Sequence, residues 1–167
     1  MVTLELVREL YLHMEWADAR IWHSALGATP DDELRERLYH VHATQWAFLN
    51  LWRGEPLAKS DARQLALPAM YAWARPWYAQ ATTYLGTLHG ADLGRPQSVA
   101  WSRWYAKQLG TISDTTTLGE TLLQLAMHTQ YHRAQVNTRL KHLGIEPPMV
   151  DYIAWLWSGR PAPAWPA

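Results

Sequence analysis

The chain has 167 residues, 49% of them hydrophobic and 18% charged, which is the size of one compact domain with enough apolar material to bury a core. Fifteen Lys and Arg balance fifteen Asp and Glu without any run of like charge, which speaks against a nucleic-acid backbone or an anionic membrane surface as partner. The absence of cysteine removes disulfides, thiolate ligands and a cysteine nucleophile together, so any metal must be held by His, Asp or Glu.

Residues 1–10, MVTLELVREL, carry charges throughout and no apolar signal-like run. No uncharged apolar stretch reaches membrane-spanning length either, so a soluble cytoplasmic protein is expected. Leu4, Val7, Tyr11, Met14, Ile21 and Ala25 then recur at helical steps, predicting a first helix from Thr3 to about Leu26 with Gly27 as its stop. In Thr29-Pro30-Asp31-Asp32-Glu33 a capping hydroxyl, a first-turn proline and acidic residues predict a second helix start. Its stripe of Leu34, Leu38, Val41, Phe48 and Trp52 continues to Gly54.

A polar connection, residues 55–64, leads to a third helical region from about Leu67 to Leu88, which Pro76 either kinks or delays to near Arg75. From Asp92 to Thr117 the helical period is lost, and Gln97–Trp101 with Thr111–Ser113 suggest a short hairpin or an ordered loop. A capping box of Thr117 and Glu120 opens the clearest helix, 118–143. Asp151 then caps a short aromatic helix through Trp157, and residues 158–167 read as a loose tail. The expected architecture is all-α: one domain over 1–167, a four-helix bundle of up-down-down-up or related topology, with a long connection between the third and fourth helices.

Within the last long helix His128 and His132 stand one turn apart, about 40 degrees in rotation and about 6 Å along the axis, so both rings can approach one point. Their steps from Leu125 and to Val136 point them inward. Two buried imidazoles without partners would cost roughly 1–3 kcal/mol each, so hydrogen-bond acceptors or a divalent metal must satisfy them. A third ligand would decide between the two. The second helix offers His40 and His42, about 200 degrees apart, of which at most one can join. Wheel position alone does not choose cleanly. His40 is favoured because Thr44, Ala47 and Leu51 on its side leave room, whereas His42 lies with Trp46, Leu49 and Arg53.

The run from His40 through Trp46 to Gly54, the segment His128-Thr-Gln-Tyr-His132-Arg133-Ala134-Gln135 with its ending at Pro147-Pro148 and Asp151, and Trp16–Arg20 of the first helix together resemble the DinB family. The likeness spans nearly the whole chain and is weakest over residues 56–117. It implies a four-helix bundle in which His40, His128 and His132 hold a divalent metal, Zn or Ni first, Fe or Mn also compatible. Three neutral imidazoles leave a coordination position open, as in catalytic rather than closed structural sites. Characterised members include transferases and isomerases that use a low-molecular-weight thiol. In a chain without cysteine, that sulfur would come from a cosubstrate.

The resemblance therefore implies a metal-dependent enzyme, a thiol-dependent S-transferase or a related hydrolase or isomerase, acting on a small electrophile. The alternatives are a non-catalytic metal-binding bundle and a metal-free aromatic pocket for a small ligand, since eleven Trp and eight Tyr supply ample ring surface. Ala134 replaces the family's usual glycine, and Gln45 stands where many members carry an acid. Asp18 on the first helix is a candidate to orient a ligand imidazole, although a capping or tyrosine-bonded carboxylate is the favoured reading. Tyr131, with Thr44 and Gln45, is a candidate to line the cavity. Arg133 and Gln135 are expected to tie the last long helix to neighbouring helix ends, while His13, His23, His89 and His142 read as solvated. The aromatic excess suggests a homodimer through helix faces.

Overall fold

The computed structural model describes residues 2–57, 60–112 and 115–167. Helix α1 (Leu4–Leu26) starts where the Thr3 hydroxyl accepts the Leu6 N–H. Helix α2 (Asp32–Arg53) starts at Asp31, not at Thr29: the Asp31 carboxylate accepts the Leu34 N–H at 2.7 Å. A carboxylate is the better cap for the positive end of a helix, so Thr29-Pro30 stays in the loop. Gly54 closes α2 in the left-handed region at φ 69°, which a side chain would resist.

The third helical region is two helices, α3 (Leu67–Ala74) and α4 (Trp77–Thr87), divided at Arg75-Pro76 because proline has no N–H to carry the ladder on. After a 3-10 turn at Gly90–Gly94, strand β1 (Pro96–Gln97) pairs antiparallel with β2 (Thr116–Thr117), Pro96 opposite Thr117. The expected hairpin is thus displaced. Between the strands lies helix α5 (Ser102–Leu109), whose Arg, Ala, Lys, Gln and Leu favour helix over strand. Thr111 and Ile112 stay outside the returning strand, and Ser113 lies outside the described residues. Strand β2 runs directly into α6 (Leu118–His142) through the Thr117–Glu120 capping box, and α7 (Tyr152–Trp157) follows.

The side-chain register fixes the bundle topology. Asp31 meets Arg139 and Trp52 meets Thr121, so α2 and α6 are antiparallel. Tyr11 meets Leu122 and Asp18 meets Arg133, so α1 and α6 are parallel. Tyr78 reaches Met14 while Arg8 reaches Leu85, which sets α4 against α1. The order α1, α2, α4, α6 is therefore up-down-down-up. Two apolar clusters fill the bundle, one around Met14, Phe48, Trp77 and Leu122, the other around Trp22, Leu38, Met70 and Leu140. Where they meet, each of α1, α2 and α6 contributes buried polar residues: Asp18, His42 with Gln45, and Arg133.

The C-terminal segment is docked, contrary to the expectation of a loose tail. The Trp165 indole N–H donates to Glu15 at 3.1 Å and its ring lies against Tyr71 and Tyr78. Tyr71 O–H donates to the Pro166 carbonyl at 2.7 Å, and Trp155 N–H to that of Pro161 at 3.1 Å. The rings that enrich this sequence need polar partners, and the tail backbone supplies them. Among the described residues no helix is long and apolar enough to cross a membrane.

Candidate metal centre

His40 of α2 faces His128 and His132 of α6 across the groove between these antiparallel helices. His40 Nε2 lies 3.2 Å from His132 Nε2 and 3.3 Å from His128 Nε2, and the possible ligand atoms of all three lie within 4.8 Å of one another. Four ligands around a zinc ion at about 2.0–2.1 Å stand about 3.3 Å apart, so the two separations from His40 match such an ion. Burial, reinforced by the two neighbouring imidazoles, lowers the His128 pKa to about 4, and burial beside His132 also lowers that of His40. Both are uncharged at neutral pH, the state in which imidazole binds metal.

The pair does not point into the bundle interior. On α6 the buried stripe runs Leu125, Thr129, Arg133, Val136, Leu140, which leaves His128 and His132 half-buried at the edge of α2 and His40 exposed. A rotation of about 100 degrees, one residue along the helix, separates the interior from this seam. A shallow groove of about 420 Å³ adjoins the triad, lined by Glu33, Glu36 and Arg37 with His40, His132 and Gln135. Its carboxylates are already engaged: Glu33 with Arg37 and Arg139, Glu36 with Arg63. A separate cavity of about 260 Å³ lies between α1 and α4, lined by Tyr11, Leu12, Tyr78 and Leu85 among others, and includes none of the triad.

The remaining candidates divide. Thr44 donates its hydroxyl to the His40 carbonyl at 2.8 Å, which steadies the turn that carries His40. Tyr131 is 64% exposed, its ring edge-on to His132 at 5.1 Å, so it stands at the rim of the site and lines no closed cavity. Asp18 and Gln45 reach none of the three imidazoles. Trp22 N–H donates to His42 Nε2 at 2.9 Å, His42 Nδ1–H to Gln45 Oε1 at 2.7 Å, and the Gln45 amide N–H to Asp18 at 2.8 Å. Asp18 also accepts from Tyr78 O–H and from Arg133, so it is the tyrosine-bonded carboxylate of the favoured reading. A neutral Gln45 suits this place, since a second buried carboxylate beside Asp18 would lack a cation.

Two expectations need correction. Arg133 does not tie α6 to a helix end: its side chain is buried against Asp18 in the middle of α1. His13 is not solvated either. It is 4% exposed, donates from Nε2 to the Val150 carbonyl at 2.9 Å and is surrounded by Trp16, Tyr152 and Trp155. Sequence reasoning also missed the partner of His132: its Nδ1 lies 2.9 Å from Gln135 Oε1, while the Gln135 carbonyl accepts from Arg37 at 2.9 Å. The spacing of three residues between His132 and Gln135 was the available signal.

In comparisons with known proteins, the model of the DinB family matches residues 1–163. No curated protein and no solved structure matches the chain.

Proposed function

The chain belongs to the DinB family, and from that premise we propose that it is a divalent-metal-dependent enzyme whose ion is held by His40, His128 and His132. The observation that carries this reading is the convergence of three Nε2 atoms, two pairs of them 3.2 and 3.3 Å apart, from two different helices. Nε2 atoms this close need a cation or a ring N–H between them, and a single cation serves all three rings at once. When bound, Zn or Ni supplies a Lewis-acidic position that lowers the pKa of a water or thiol ligand and so provides a nucleophile near neutral pH.

The protein's own residues hold and aim. Partial desolvation of their rings beside the other imidazoles keeps His40 and His128 uncharged, and Gln135 Oε1 lies 2.9 Å from His132 Nδ1. The groove past His40 and His132 is lined by Arg37, itself held by Glu33 and the Gln135 carbonyl, and Tyr131 stands at the rim of the site, which leaves the open side of the triad to a small electrophile. With no cysteine in the chain, a low-molecular-weight thiol is the sulfur source that an S-transferase reaction here would use. A second reading is a non-catalytic metal clamp, supported by the fact that the ligands come from both α2 and α6 and by the engagement of Glu33 and Glu36 with arginines.

Metal analysis after reconstitution tests the first premise: about one equivalent of divalent ion in the wild type and a small fraction of that in His128→Ala. No retained metal in the wild type overturns both readings. Turnover of an electrophilic acceptor with a small thiol, lost on chelation and restored by metal, separates the enzyme from the clamp.

A further inference from the structure

We propose that Gln135 is a positioning residue that holds His132 as its Nδ1–H tautomer and thereby aims the Nε2 lone pair into the groove. Its consequence for metal affinity rests on the metal-binding reading above; the tautomer itself does not. A neutral imidazole has one N–H, and which nitrogen carries it is set by the partner of the other. His132 Nδ1 lies 2.9 Å from Gln135 Oε1, and an amide oxygen can only accept, so the proton belongs on Nδ1.

The chain contains its own control for that assignment. His42 and Gln45 repeat the same spacing of three residues on α2, with His42 Nδ1 at 2.7 Å from Gln45 Oε1. There the tautomer is forced from the far side, because the Trp22 indole can only donate and places its N–H 2.9 Å from His42 Nε2. The far side of the Gln45 amide is fixed as well, since its N–H groups face the Asp18 carboxylate and Tyr78 oxygen. A His-x-x-Gln turn on a helix therefore puts the amide oxygen on Nδ1 where the answer is determined independently, and His132 with Gln135 adopts the same arrangement on α6.

The Gln135 backbone is also held in place, because its carbonyl accepts from Arg37 at 2.9 Å across the groove. The choice of an amide over a carboxylate has chemical meaning. A neutral acceptor fixes the ring without adding negative charge, so three uncharged imidazoles leave the full charge of an ion to act on whatever fills the open position.

Nitrogen-15 NMR of the imidazoles at about pH 8, in metal-free protein, reads the tautomer directly. His132 is expected as Nδ1–H in the wild type and in Gln135→Glu, and shifted toward a mixture in Gln135→Leu, with His42 unchanged throughout as proof that the fold is intact. An Nε2–H signal for His132 in the wild type, or no change in Gln135→Leu, overturns the proposal. Zinc affinity measured by chelator competition is expected to fall roughly 10- to 100-fold in Gln135→Leu and to hold or rise in Gln135→Glu. Equal affinities in wild type and Gln135→Leu overturn the positioning role. A wild type that binds no zinc overturns the metal reading alone and leaves the tautomer to the NMR result.

Discussion

Asp18 of α1 and Arg133 of α6 form an ion pair whose side chains are 2% and 1% exposed, and Arg133 is the chain neighbour of His132 yet faces away from it. The same residue pair that turns Arg133 inward turns His132 out to the seam with α2. Burial pushes the Asp18 acid up, but Arg133 and His42 outweigh it and hold the carboxyl below its ordinary range. Asp18→Asn removes the carboxylate paired with Arg133 and leaves a buried guanidinium, a loss of about 3–5 kcal/mol. Urea unfolding measures it. A loss under about 1 kcal/mol would mean that the pair contributes nothing to the rotation of α6.

On the proposed site, metal should stabilise the fold through α2 and α6, the helices that carry His40, His128 and His132. A ligand that binds only the native state at 100 times its Kd adds about 2.7 kcal/mol. For a chain of this length that corresponds to a rise in Tm of about 5–10 °C. Thermal unfolding with and without zinc should show this rise in the wild type, its reversal by a chelator, and its absence in His40→Ala and His128→Ala. An equal rise in those variants would place the ion elsewhere.

The bundle was legible because its long helices carry strong apolar stripes and caps, and the triad because His40, His128 and His132 matched a family pattern. What failed was local. The wheel reading placed His128 and His132 with Leu125 and Val136, but the buried positions of α6 are taken by Thr129 and Arg133, since the Asp18 carboxylate on α1 needs a cation. His13 looked solvated on charge pattern, although the aromatic residues that surround it, Tyr152 and Trp155, lie far away in sequence. The tail read as loose from its prolines, whereas one tryptophan decides its fate.

That tryptophan gives a direct test. Trp165 packs on Tyr71 and Tyr78 and donates to Glu15, so it fastens the C-terminus to α1, α3 and α4. The full truncation of a buried Trp costs about 3–5 kcal/mol, and for this half-buried ring about 1–3 kcal/mol is expected from Trp165→Ala. Denaturant unfolding should show it with an unchanged m-value. No change in midpoint would return the segment to the status of a loose tail.

Asp31 serves α2 and α6 together. It caps α2 at Leu34 and pairs with Arg139, which holds its pKa down to about 2. Because the folded value lies below the unfolded 3.8, this contribution is complete above about pH 4 and is lost as the pH falls toward 2. Asp31→Ala should cost about 1–3 kcal/mol at pH 7, from the cap and the ion pair combined. The difference from wild type should shrink on titration from pH 5 to pH 2. A gap that stays constant over that range would assign the loss to packing.

Four histidines make the metal-free protein sensitive to mild acid. Burial is the largest influence on His13, His40, His42 and His128, and it lowers all four below the ordinary 6.5. As the pH falls below 6.5 the unfolded chain takes up protons that the folded protein refuses, so stability declines, and for His128 the decline levels off only below about 4. Carboxylates titrate mostly below this window, so Tm measured at pH 7 and pH 5 isolates the imidazoles. A clear drop is expected in the wild type and a smaller one in His128→Gln, which has no proton to gain. Were Tm the same at both pH values, the four rings would be as open to protonation in the fold as in the unfolded chain, and the uncharged state that metal binding needs would have no structural cause.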